Sequence, residues 1–250
     1  MVSDTSWQAA SEGGVGRSDP ARRLLGAADD LFYRQGAAAT TVREITGACG
    51  LTPGALYNHF TSKEDLLYDL VVGRHRLLDD VVVAELTSVG DDPVDRLTAV
   101  VRVYVEVHVH ARQGSRVANR EYPNLTGPRL AEVVAIRRRL RDRVMDILAA
   151  GAAQGRFDIC GGTGRASVMV AAATILDMCI HATEWLHEGG PLSMPELQER
   201  YVAMALRIVG ASPSDGLPAR PASGPGRQAS GAGESRRNRR TAAPAAGGTG

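Results

Sequence analysis

Apolar residues recur at helical spacing through most of the first 210 positions of this chain, and the strict alternation of a half-buried strand is scarce. The pattern predicts an all-α protein of about nine helices. The first lies near 20–35, where Leu24, Leu25, Ala28, Leu31 and Phe32 share a face. Thr41 and Glu44 form a capping box that starts a second helix at Val42. Ala48-Cys49-Gly50 ends it, because Gly50 can take the left-handed conformation that closes a helix. Thr52 caps a third, with Pro53 at its first position, where the missing N–H costs nothing, and it runs to about Phe60. Ser62 and Asp65 form a second capping box that opens a long helix near 63–88 through Leu66, Leu67 and Leu70, with a bend expected at Gly73.

Five further helices follow. Pro93 opens the fifth, in which Leu97, Val100, Val101, Tyr104 and Val105 recur at helical spacing. The sixth lies around 113–120. The seventh, about 127–153, puts Leu130, Val133, Val134, Ile136, Leu140, Val144 and Leu148 on its apolar side. The eighth, about 163–187, is apolar nearly all round, so it must be buried on several sides. The ninth, about 195–209, is capped by Ser193. Residues 1–18 and 211–250 are rich in Ser, Gly and Pro without periodicity, and are read as disordered tails. The run Arg236-Arg237-Asn238-Arg239-Arg240 in the second tail is either a solvated segment or a weak attractor of nucleic acid.

Composition narrows the classes. Hydrophobic residues make up 44% and charged residues 23%, as in globular proteins. Cys49, Cys160 and Cys179 offer no even pairing and no metal-ligand spacing, and are expected to be buried free thiols in a reducing compartment. No apolar run is read as reaching the ~18 residues of a membrane span. The N-terminus lacks the basic start and apolar core of a secretory signal, so the chain is read as cytoplasmic, with no membrane partner. No cofactor or metal is expected: His108 and His110 point about 200° apart on a helix and cannot share an ion. Gly161-Gly162-Thr163-Gly164 precedes a helix but lacks the lysine and the strand of a phosphate-binding loop. With no nucleophile–base set in view, the chain is not read as an enzyme.

Two short helices joined by a glycine turn make a helix-turn-helix, whose second helix enters the major groove of DNA. The residues go further than the generic motif. Thr41, Ile45, Ala48, Gly50, Leu51, Thr52, Gly54, Leu56, Tyr57, His59, Phe60, Lys63, Glu64 and Leu67 stand where they do in the TetR family of transcriptional regulators, which residues 20–72 resemble. Thr46 departs from the alanine usual at that helix crossing, a mild change because its hydroxyl can bond back one turn. The resemblance implies a DNA-binding head (19–72), a ligand-binding and dimerisation body (73–210), and a homodimeric repressor released from a near-palindromic operator by a small ligand. Thr41, Arg43, Tyr57, His59 and Lys63 are expected at phosphates. Thr52, Pro53, Gly54, Ala55 and Asn58 are expected at base edges, although Asn58 also suits a phosphate. Helix N-termini at Val42, Pro53 and Lys63 add to the phosphate-facing surface.

Charge opposes this reading when averaged. Residues 19–72 hold five Lys/Arg against seven Asp/Glu, so a ligand-binding or interaction protein whose helix-turn-helix no longer binds DNA stands as the alternative. The expectation is that Asp29, Asp30 and Asp69 face away from DNA. In the body, the segments around Val117–Glu121 and 127–159, with Trp185, resemble actinobacterial TetR-like regulators of lipid and steroid catabolism, several of which respond to acyl-CoA thioesters. Tyr104, His108, Asn119, Met178 and Trp185 are the candidate ligand contacts. Arg137, Arg138, Arg139, Arg141 and Arg143 either supply cations at the pocket mouth or form a solvated face. The eighth and ninth helices are expected to pair with their copies in a four-helix dimer interface.

Overall fold

The computed structural model describes residues 17–185 and 192–211. The first three helices are α1 (Asp19–Gln35), α2 (Val42–Ala48) and α3 (Pro53–Leu56). The rest are α4 (Lys63–Ser88), α5 (Pro93–His110), α6 (Arg112–Glu121), a 3-10 turn at Tyr122–Asn124, α7 (Gly127–Ala153), α8 (Arg165–Ile180), α9 (Ala182–Trp185) and α10 (Met194–Ile208). Among the described residues there is no strand. The nine expected helices are all present, most of them within a residue or two of their predicted ends.

Local chemistry sets the boundaries. The Thr41–Glu44 capping box forms in both directions. Ser62 Oγ accepts from the Asp65 amide at 3.1 Å, while Asp65 turns back to the amide and hydroxyl of Thr61. Gly50 adopts φ +66°, as the turn after α2 requires. Regular helix in α3 stops at Leu56, and tight turns carry the chain on, with the His59 and Phe60 amides both donating to Leu56 O at 2.9 Å. α4 runs unbroken through Gly73. The expected eighth helix is interrupted at His181, whose amide donates to Asp177 O, leaving the short α9 beyond.

The head closes on Leu24, Phe32, Ile45, Leu56 and Leu66, all fully buried. Each such side chain contributes about 1.5–3 kcal/mol relative to exposure. Thr46 is buried in this crossing, and its hydroxyl donates to Val42 O at 3.0 Å, so the departure from alanine leaves no unsatisfied group. The body core is built by α5, α7 and α8, with α10 packed along α5. Cys49 and Cys179 are buried in these cores, but Cys160 is exposed on the loop between α7 and α8, against expectation.

One sequence expectation needs correcting. The stretch Arg165–Glu184 has a mean hydropathy of 1.5 over a span-length window, enough in length and composition to cross a bilayer. Its Val168, Ala172, Ile175 and Cys179 are instead buried among neighbouring helices, and an apolar core helix passes the same test. Just ahead of α1, Arg17 pairs with Asp69 and lies 5.2 Å over the Phe60 ring. Residues 1–16 and 212–250, including the Arg236–Arg240 cluster, lie outside the described residues.

Candidate functional site

The exposed edge of the helix-turn-helix is formed by Thr41 and Arg43 at the start of α2, by Thr52, Pro53 and Gly54 at the start of α3, and by Tyr57 and Asn58 after it. Tyr57 is 60% exposed, a large ring left in solvent while Leu56 and Phe60 on either side are buried. Ala55 and His59 are half-buried, and His59 Nδ1 lies 3.5 Å from Ser18 Oγ. The Thr52 side chain makes no capping bond and stays available.

The expected phosphate donors are not all free. The Thr41 hydroxyl donates to Glu44 within the capping box, at 2.8 Å. Lys63 sends its ammonium to Ala37 O and Thr40 O, both at 2.6 Å, so two of its three donors close the turn after α1. The N-termini of α2 and α4 likewise carry carboxylates of their own, Glu44 accepting from the Thr41 amide and Asp65 from the Thr61 amide. Arg43 remains exposed with no ion pair among the described residues.

The acidic balance of the head finds its explanation at the junction with the body. Asp29 and Asp30 of α1 both accept from Gln113 Nε2 of α6, at 2.9 and 2.7 Å. Asp69 faces Arg17. Burial raises the Asp29 carboxyl above its usual range, opposed by the Arg74 cation and the Gln113 bond. The end of α6 holds the end of α1: Glu121, 4% exposed, accepts from the Ala37 amide at 3.0 Å and from Asn124 Nδ2 at 2.8 Å. Arg120 donates to Phe32 O at 2.7 Å and to Glu121 at 2.8 Å. Glu64 accepts from the Thr126 amide and hydroxyl, tying α7 to α4.

Within the body, α4 to α8 enclose a cavity of about 300 Å³, at the lower end of the ~300–1,000 Å³ typical of small-molecule sites. Leu77, Leu78, Val107, Leu140, Leu176 and Ile180 supply much of the apolar wall. Tyr104, His108 and Asn119 line it as expected. Met178 does not: α8 turns Leu176, Asp177 and Ile180 inward instead. The Trp185 side chain lies outside the described residues.

A polar chain that sequence reasoning did not assemble runs across the cavity. Arg137 Nη1 donates to Asn119 Oδ1 at 2.7 Å and to His75 Nε2 at 3.0 Å, and its guanidinium lies 4.5 Å over the Tyr122 ring. His75 Nδ1 donates to Val71 O, which fixes the tautomer that leaves Nε2 an acceptor. His108 repeats the device, with Nδ1 donating to Tyr104 O at 2.7 Å and Nε2 lying 3.4 Å from the Asn119 amide nitrogen. Burial holds both imidazoles neutral, each pKa pushed down to about 4. The arginine row divides between the two expectations. Arg137, Arg138 and Arg141 line the cavity, whereas Arg139 and Arg143 pair with Asp79 of α4.

Comparison with known proteins follows the same division of the chain. A profile described as bacterial regulatory proteins, tetR family, matches residues 24–70, and one described as tetracyclin repressor-like, C-terminal domain, matches residues 90–209. The HTH-type transcriptional repressor KstR2 of Rhodococcus jostii (strain RHA1) is 29% identical over 196 residues, covering 76% of this chain and 91% of that protein. The structure of the ketosteroid transcriptional regulator KstR2 of Mycobacterium tuberculosis superposes with a TM-score of 0.67 at 26% identity, over 78% of this chain and 96% of that one. A tetR-family regulatory protein from Rhodococcus RHA1 superposes with a TM-score of 0.69 at 30% identity, over 78% of this chain and all of its own. With head and body both matched, and a relative aligned along its whole length, this chain belongs to the TetR family of bacterial transcriptional regulators.

Proposed function

We propose that this protein is a transcriptional repressor that binds a near-palindromic operator as a dimer and leaves it when a small ligand fills the body cavity. Similarity to KstR2 repressors along nearly their full length supports the repressor assignment. The observation that carries the DNA-binding reading is the exposed edge from Thr52 to Asn58 on a closed three-helix head whose surplus acids turn toward the body. Turning Asp29 and Asp30 to Gln113 of α6 weakens the charge argument for a head that no longer binds DNA.

In this reading residues 19–72 are the head and 73–210 the body. Arg43, Tyr57 and His59 hold phosphates, with the third donor of Lys63 and, on displacement from Glu44, the Thr41 hydroxyl. Thr52, Pro53, Gly54 and Ala55 lie against the groove, and Asn58 reads a base by a pair of hydrogen bonds. One such helix reads too few base pairs to select a site, so dimerisation is part of the function. α8 and α10 form the dimer face: Met169 and Val170 on α8 and Met204 on α10 are large apolar residues left in solvent on one chain, at 44%, 62% and 38% exposure. The ligand is an acyl-CoA thioester of lipid or steroid catabolism. Its apolar body fits the Leu- and Val-lined wall, with Tyr104, His108 and Asn119 as polar contacts. The similarity to transcriptional regulators supports sensing rather than catalysis, and such a regulator works in the cytoplasm.

The test is fluorescence anisotropy of the purified protein on DNA from upstream of its own gene, at fixed salt, with and without long-chain and steroid acyl-CoA thioesters. Competitor-resistant binding released by one thioester is the expected result. Binding that none of them disturbs would discard the ligand class, and absence of specific binding there and in a genome-wide site selection would discard the repressor.

A further inference from the structure

Four arginines line the cavity, Arg74, Arg137, Arg138 and Arg141, against one carboxylate, Asp177. Two of them have an acid to answer them: the Arg74 cation acts on Asp29, and Arg141 pairs with Asp142 at 2.7 Å. Arg138 and Arg137 do not within the described residues, and of these Arg138 is exposed while Arg137 is half-buried. Among the described residues Arg137 makes no ion pair, and its partners are neutral: an imidazole acceptor, an amide oxygen and a phenol ring.

Those partners take only one corner of the guanidinium. Both N–H groups of Nη1 are used, one on His75 Nε2 and one on Asn119 Oδ1. The Nε–H and the two N–H groups of Nη2 have no partner among the described residues. Nε and Nη2 together form the fork that meets two oxygens of a carboxylate or phosphate side by side. The Tyr122 ring and the two bonds at Nη1 fix the plane of that fork before any ligand arrives, which lowers the ordering cost of binding. A partly buried cation without a counter-ion is costly in the empty protein, and an anionic ligand relieves that cost.

We propose that Arg137 is the anion-recognising residue of the cavity, its Nε–Nη2 edge taking an oxyanion carried by an otherwise apolar ligand. This rests on the reading of the cavity as a ligand site, and it names the group that a ligand must present there. A free carboxylic acid presents a carboxylate at the end of its chain. A CoA thioester presents phosphates beyond the thioester.

The experiment uses dodecanoic acid, dodecanoyl-CoA and methyl dodecanoate on the full chain, with Arg137→Gln and Arg137→Lys beside the native protein. Binding is read by calorimetry and by thermal shift. The two anionic probes are expected to bind the native protein more tightly than the neutral ester. Arg137→Gln is expected to weaken anion binding about ten- to a hundredfold while leaving the ester unchanged, with Arg137→Lys in between. A loss confined to the free acid assigns a carboxylate, and a loss confined to the thioester assigns the CoA phosphates. Equal affinity for ester and anions in the native protein, an anion advantage that survives Arg137→Gln, or no binding of either anionic probe overturns the proposal. Operator binding without probes is measured alongside: if native protein fails to bind DNA, the repressor reading fails and the role of Arg137 is still decided by the probe data.

Discussion

Replacing Glu121 by Gln tests how firmly the body holds the DNA head. The carboxylate is 4% exposed and accepts from the Ala37 amide, from Asn124 and from Arg120. A glutamine keeps one acceptor oxygen, and the less costly orientation leaves it on Ala37 and Asn124, which share one carboxylate oxygen, and turns the N–H₂ toward Arg120. The Arg120 side chain is 50% exposed, so losing that ion pair costs little. The main loss is the charge behind the two retained bonds. A hydrogen bond to a charged group contributes about 1.5–3 kcal/mol, against about 0.5–1.5 kcal/mol for a neutral one, so about 2 kcal/mol is expected for the two. For a chain of this size that lowers Tm by about 4–8 °C. Circular dichroism melts at fixed protomer concentration measure it, since dimer stability depends on concentration. Glu132→Gln is the control: that carboxylate also joins two helices, through Arg76 and Tyr68, but is 39% exposed, so its loss should stay under about 1 kcal/mol. A Glu121→Gln melt within about 1 °C of native, or no lower than the control, would refute the view that α6 clamps the head.

Other outcomes follow from single sites. Tyr57→Ala should weaken binding to every DNA sequence about equally, whereas Asn58→Ala should relax preference at one base pair by about 1–3 kcal/mol; equal losses on all sequences for both would remove Asn58 from base reading. Gly151→Ala should destabilise by about 1–3 kcal/mol in denaturant melts, because a methyl there overlaps the buried Phe157 ring; an unchanged midpoint would show that the ring has room to move. His75 and His108 titrate at about 4 when folded and at ~6.5 when unfolded. The unfolded chain therefore binds more protons between those values. Their contribution is complete above about pH 6.5 and is lost as pH falls toward about 4, by up to about 3 kcal/mol per ring. The double variant His75→Gln/His108→Gln should flatten stability against pH in that window, and a slope as steep as native would contradict the neutral-imidazole assignment.

The helices were legible because their ends are set by neighbours in sequence. Thr41 with Glu44, Ser193 with Glu196, and Pro53 and Pro93 at first turns act within four residues. The exposed edge of the head was legible for the same reason, most of it lying in one contiguous stretch from Thr52 to Asn58. The cavity was not, since its wall draws on five helices far apart in the chain. His75 and Arg137 lie 62 positions apart, and nothing in either helix alone marks them as partners. Met178 was misplaced for another cause. α8 is apolar on every side, so its pattern fixes that it is helical but not which way it is turned, and a rotation of about 100° exchanges Met178 for Asp177. The arginine row failed to resolve because it spans two faces, with Arg137 and Arg141 one turn apart toward the cavity and Arg139 and Arg143 one turn apart toward Asp79. Competition for donors was also invisible: Lys63 matches the family pattern, yet what its ammonium meets depends on where the turn after α1 comes to rest.

The cavity and the head are joined by consecutive residues rather than by a long relay. On α6, Asn119 holds Arg137 at the cavity, while Arg120 and Glu121 hold Phe32 O and the Ala37 amide at the end of α1. On α4, His75 takes a bond from Arg137, while its neighbour Arg74 lies against Gly114 of α6 and carries the cation that acts on Asp29 of α1. Successive helical residues point about 100° apart, so each helix addresses the cavity and the head from different sides at one level. Packed helices shift as units rather than deforming within a turn. A change in where Arg137 sits therefore bears on the same two helices that fix the angle of α1, and α2 and α3 are packed on α1 through Ile45 and Leu56. Coupling of this kind is reciprocal in free energy: whatever factor a ligand removes from operator affinity, operator DNA removes from ligand affinity. The junction at Glu121 lies outside both contacts, so its substitution acts on that shared factor and leaves the chemistry at Arg137 and at Asn58 as it was.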